Sequence, residues 1–180
     1  MYFGIYDCRT IQNLKTKTDN AILIRILEPS YKITGIPYNI ENINNYKNVL
    51  ELYFHDIINP KLQASTEQIY FSEELAKVLN NFILENEFDE IAIHCSAGIS
   101  RSPSIGLCVA KILESKKMED MILSYSHFIP NKQILDAFNL FKYTPKHFSG
   151  DVIFRNLEIY EFKGSDLDCN KNGVICISTL

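Results

Sequence analysis

The chain has 180 residues, 22 acidic against 18 basic, for a net charge of −4 at pH 7. This length is enough for one domain with a sizeable core, and 46% hydrophobic with 22% charged residues is the balance of a globular protein. The weak negative charge excludes a global basic field for nucleic acid, and no apolar run is long enough to cross a bilayer.

Met1-Tyr2-Phe3-Gly4 has neither the basic start nor the long apolar core of a signal peptide. The five cysteines (8, 95, 108, 169 and 176) are odd in number and form no C-x-x-C pair. Both features predict a cytoplasmic protein with reduced thiols.

Residues 1–7 and 21–27 read as strands joined by a polar connection, and Pro29, Gly35 and Pro37 then punctuate a loop. Val49–Phe54 reads as a third strand ending at His55-Asp56, and residues 57–71 as a long surface loop. Ser72 is a fitting N-cap, with Glu73 and Glu74 in the first turn and Leu75, Val78, Leu79, Phe82 and Ile83 as the apolar stripe of a helix. Residues 90–94 are apolar enough for a buried parallel strand. A helix follows with Ile105, Cys108, Val109, Ile112 and Leu113 on its stripe. Two more are expected at Met118–Tyr125 and over Ile134, Leu135, Phe138 and Phe141, the last ending at Thr144-Pro145. Residues 151–180 read as a C-terminal β-extension packed on the same domain, with strands at 152–162 and 174–178. The expected fold class is α/β, a central parallel-rich sheet flanked by helices, with residues 1–150 as the main domain.

The stretch His94-Cys95-Ser96-Ala97-Gly98-Ile99-Ser100-Arg101-Ser102 falls between the 90–94 strand and the following helix. A thiol is reactive as its thiolate, and a helix N-terminus and a nearby arginine both favour that anion. Gly98 is free to adopt a conformation closed to other residues. Backbone N–H groups of Ser96, Ala97, Gly98, Ile99 and Ser100 can then turn inward as an anion nest. Arg101 is suited to bidentate contact with two phosphate oxygens. Ser102 is suited to hydrogen-bond the sulfur as a leaving group, and Pro103 fits the first helical turn. Cys108, inside an apolar stripe, reads instead as a small buried hydrophobe.

His94–Ser102 matches the H-C-x5-R-[ST] signature and so resembles the cysteine-based protein tyrosine phosphatase superfamily, most closely its dual-specificity branch. The likeness extends weakly over residues 20–143. It implies a parallel-rich sheet with helices on both faces, hydrolysis of phosphotyrosine and of phosphoserine or phosphothreonine in protein substrates through a phosphocysteine intermediate, and no metal or cofactor. It also implies that His94 orders the loop and that Asn131, in Phe128-Ile129-Pro130-Asn131, braces it.

Such enzymes supply an aspartic acid from an upstream loop to protonate the leaving oxygen. Asp56 is the expected acid, with Glu67 and Asp89 as alternatives and His55 a candidate modulator. A catalytically weak phosphoresidue-binding module is the alternative function, and rhodanese-type sulfur transfer a second rival that His94 and Ser102 argue against. The absence of lysine between Ser96 and Ser100 weakens a lipid-phosphate substrate. In the tail, Asp168, Asn170, Asn172 and Gly173 imitate the start of a calcium loop, but Thr179 stands where a bidentate Glu belongs, so an Asn-Gly hairpin turn is expected.

Overall fold

A computed structural model of the chain describes residues 1–57 and 68–155. The 152–162 strand is therefore only partly described. The 174–178 strand, the calcium-loop imitation, Glu67, Cys169 and Cys176 lie outside the described residues.

Five strands make one sheet: β1 (Tyr2–Tyr6), β2 (Ala21–Leu27), β3 (Tyr46–Tyr53), β4 (Glu90–His94) and β5 (Ile153–Phe154), in the order β3-β2-β4-β1-β5. Every pairing is parallel. Parallel neighbours need long crossovers, and here those crossovers carry the helices α1 (Tyr31–Thr34), α2 (Glu73–Glu85), α3 (Arg101–Ile112), α4 (Lys116–Ser124) and α5 (Lys132–Leu140). The fold is thus α/β, with a central parallel sheet flanked by helices.

Period-two alternation divides the strands between two cores. Phe3, Ile5, Ile22, Ile24, Ile91 and Ile93 face the core shared with α2–α5, through Leu79, Ile105, Ile122 and Phe138 among others. Tyr6, Leu23 and Ala92 face the opposite way, against Ile11, Ile40 and Ile43. That second face is covered by the 3-10 turns Thr10–Asn13 and Ile43–Asn45 with their connecting chain, so the helices are distributed unequally. β2 and β4 are buried along their whole length, which is why they read as unbroken apolar runs.

Several boundaries differ from expectation. β3 begins at Tyr46, because its first residues pair with β2 although their side chains alternate irregularly. α5 ends at Leu140 rather than near Pro145. From there the chain runs back to α2, where Asn80 donates to the Thr144 carbonyl and accepts from its N–H, both at 2.9 Å. Val78 lies outside the stripe of α2 and is exposed, whereas the polar Asn80 is buried. Ser72 caps α2 as expected, accepting from the Leu75 N–H. The 57–71 segment is not surface chain throughout, since both ends, Ile57 and Phe71, are buried.

At the amino-terminal edge of the sheet the Glu90 carboxylate is buried. It pairs with Arg155 just beyond β5 and accepts from the Lys17 and Thr18 N–H groups. This pair fastens β5, two strands away across β1, to β4.

Candidate active site

Because all five strands run the same way, their carboxyl ends share one edge, where ligand crevices of open α/β sheets form. Cys8, Glu28, Phe54-His55-Asp56 and Cys95 each follow directly after a strand at that edge. Asp89 lies before β4, at the opposite edge, which removes it as an alternative acid.

The segment from Cys95 to Ser100 leaves β4 and turns into α3. Gly98 takes φ +73°, and a Cβ there would lie 2.9 Å from the Asp7 backbone nitrogen, so both its conformation and its closeness to the chain after β1 require glycine. The Cys8 N–H donates to the Ser96 carbonyl at 3.1 Å and ties the loop to β1. α3 is buried along almost its whole length. It approaches the sheet closely enough that a Cβ on Gly106 would lie 3.0 Å from Ile5 Cδ1.

Cys95 is 2% exposed. Its Sγ receives the Gly98 N–H at 3.2 Å and lies 3.3 Å from Ser102 Oγ. Ser100 occupies the N-cap of α3 but makes no capping bond with its side chain. Its Oγ donates instead to Asp56 Oδ1 at 2.8 Å. The helix N-terminus therefore faces the loop with its amides uncapped, a ready anion site.

Arg101 is 4% exposed and fixed on several sides. Nη1 donates to the Phe54 carbonyl at 3.0 Å and Nη2 to Ser96 Oγ at 3.3 Å. Nη2 also pairs with Glu28 Oε1 at 2.5 Å. Nε is buried without a hydrogen-bond partner among the described residues, 4.0 Å from Asp56 Oδ2. A buried donor of this kind is costly unless a ligand satisfies it.

Asn131 couples these parts. Its Nδ2 donates to Asp56 Oδ1 at 2.8 Å and to the Ile57 carbonyl at 3.0 Å, while its Oδ1 caps α5 by accepting from the Gln133 N–H. Its own N–H donates to Ser104 Oγ at 2.6 Å, which in turn donates to the Ser100 carbonyl. Asn131 thus braces the Asp56 loop directly and the Cys95–Ser100 loop through Ser104.

His94 is fully buried, with neither ring nitrogen hydrogen-bonded among the described residues. Burial, then the Arg25 guanidinium on the neighbouring strand, push its imidazole down to about 3. It is a neutral core ring under the loop. His55 is held by Ile69: its Nδ1 accepts from the Ile69 N–H at 3.0 Å and its own N–H donates to the Ile69 carbonyl at 2.9 Å. That role is structural. Burial pushes the Cys108 thiol up, and burial with Asp7 alongside raises that of Cys8, which leaves both poor nucleophiles.

The structure thus brings together Cys95, Arg101, Ser102, Asp56, Asn131 and the Ser96–Ser100 backbone. Sequence reasoning missed Glu28 and Ser104, whose only signals were a position just past β2 and one turn into α3. Chemically, the assembly holds a cysteine sulfur, an uncapped helix end, a fixed guanidinium and a carboxylate within one loop's reach. No protein-family model matches this chain, and no curated protein matches it. Among the described residues no helix is long and apolar enough to cross a membrane.

Proposed function

We propose that the protein is a cysteine-dependent protein phosphatase acting on phosphotyrosine and on phosphoserine or phosphothreonine, located in the cytoplasm. The observation that carries this reading is the coupling of sulfur and acid through one loop. Cys95 Sγ lies under the Gly98 N–H, and Ser100, two residues on, holds Asp56.

In the first step Cys95 sulfur attacks phosphorus, the S–P bond forms and the ester P–O bond breaks. The proton for the leaving oxygen comes from Asp56. Oδ1 is already engaged by Ser100 and Asn131, so Oδ2 is the oxygen free to carry it. The guanidinium of Arg101 and the amides at the start of α3 hold the non-bridging oxygens as charge shifts. In the second step water attacks phosphorus and gives its proton to Asp56. The S–P bond breaks, and the sulfur returns as thiolate stabilised by the Gly98 N–H and the Ser102 hydroxyl.

Hydrolysis of an aryl phosphate and of phosphopeptides with EDTA present tests the proposal. Turnover that is lost in Cys95→Ser is expected. Tight phosphopeptide binding without turnover would make the protein a phosphoresidue-binding module instead.

A further inference from the structure

Three isoleucines with large exposed areas stand at the mouth of the site. Ile99, inside the loop, is 42% exposed, Ile129 is 68% exposed and Ile69 is 45% exposed. Their placement is built. The Ile129 N–H donates to the Ile99 carbonyl at 2.9 Å, so the two are backbone neighbours. Ile129 is held between the buried Phe128 and Pro130, one residue before Asn131, which bonds Asp56. Ile69 is hydrogen-bonded at both its N–H and carbonyl to His55, the residue before Asp56.

Single exposed aliphatic residues need no explanation, but several fixed around one polar crevice mark a contact surface. Glu28 in the same crevice is paired with Arg101, and Asp56 carries the proton for the leaving oxygen, so neither offers a free charge to a flanking residue. A charged flank would gain nothing from this aliphatic surface, whereas an aliphatic one would bury apolar area against the rim. An anionic membrane surface would call for a basic cluster. Net charge is −4 and Lys132, on the residue after Asn131, is already paired with Asp136.

We propose that Ile69, Ile99 and Ile129 form an aliphatic rim that selects phosphoprotein segments with an aliphatic rather than a charged side chain beside the phosphorylated residue. The inference rests on the phosphatase reading and names the substrate class of that site.

The test compares two phosphopeptides of equal length, one with leucine and one with aspartate flanking the phosphoresidue, each referred to an aryl phosphate that has no flanks. The leucine peptide should have the higher kcat/KM by about tenfold, the discrimination that one or two methylenes in an apolar site provide. Ile129→Ser, and separately Ile69→Ser, should shrink that ratio severalfold. Aryl phosphate turnover with no peptide preference, or a preference unchanged in both variants, overturns the inference alone. Vesicles of anionic lipid form a third arm: binding to them that Ile129→Ser abolishes, with the peptide ratio unmoved, would assign the rim to a membrane and overturn it. No turnover of the aryl phosphate would overturn the function itself, and this inference with it.

Discussion

Arg101 is the side chain on which most of the candidate site converges. Its Nη2 is shared by Ser96 and Glu28, and its Nη1 is spent on the Phe54 carbonyl. Glu28 is therefore expected to hold the guanidinium plane rather than to touch substrate. Glu28→Gln should raise KM for an aryl phosphate by about tenfold, the order of one charged hydrogen bond, with a smaller change in kcat. Arg101→Ala should lose ~10²–10³ in rate as well as binding. Asp56→Asn should slow poor leaving groups by about 10²-fold or more and activated aryl phosphates far less. Equal effects on both would show that another group is the acid. His94 supplies a stability prediction. Its folded imidazole lies far below its ordinary 6.5, so below about that pH the unfolded chain takes up a proton that the native chain refuses. Stability should fall from there toward pH 3, by up to ~1.4 kcal/mol per pH unit from this group. Urea midpoints near pH 7 and near pH 4 should converge in His94→Gln relative to the unaltered protein. An unchanged difference would mean that the ring is not held neutral.

At the level of elements, β4, the loop and α3 form one continuous segment, with the strand and almost all of the helix buried, and their legibility in the sequence has a physical cause. His94 to Ser102 are contiguous, so spacing alone displayed the geometry. Asp56 was expected because the resemblance implies an upstream acid and Asp56 follows a recognisable strand, and it lies beside the loop, held by Ser100. Glu28 and Ser104 were not, since their roles depend on which strand ends lie side by side and on a hydrogen-bond relay to Asn131. Asn131 was anticipated from resemblance, but its grip on Asp56 is visible only in three dimensions. Val78, expected on the stripe, is exposed, while Asn80 is buried because a returning chain segment, not helical periodicity, covers that part of α2. The short β5 depends on the Glu90–Arg155 pair. Glu90 is buried, so Arg155→Ala should cost about 3–5 kcal/mol in urea unfolding by leaving that carboxylate unpaired. A cost under about 1 kcal/mol would mean that water reaches it.

Across the described residues as a whole, an all-parallel sheet collects the carboxyl ends of its five strands at one edge. A core on each face fixes the spacing of those ends. The site is thus assembled from β2, β3 and β4 and the loop before α5, segments far apart in the chain, linked by polar contacts through Arg101 and Asp56. Sequence patterning anticipated this class of fold because β2 and β4 are too apolar for an exposed sheet, while the unequal covering of the two faces was invisible to it. In the proposed reaction the phosphoryl group passes through the sulfur of Cys95. Rapid acid quenching of Asp56→Asn during turnover of an aryl phosphate, followed by peptide mass analysis, tests it directly. One phosphoryl group is expected on the peptide bearing Cys95, and none in Cys95→Ser. Steady hydrolysis with that peptide never modified, or turnover persisting in Cys95→Ser, would contradict it.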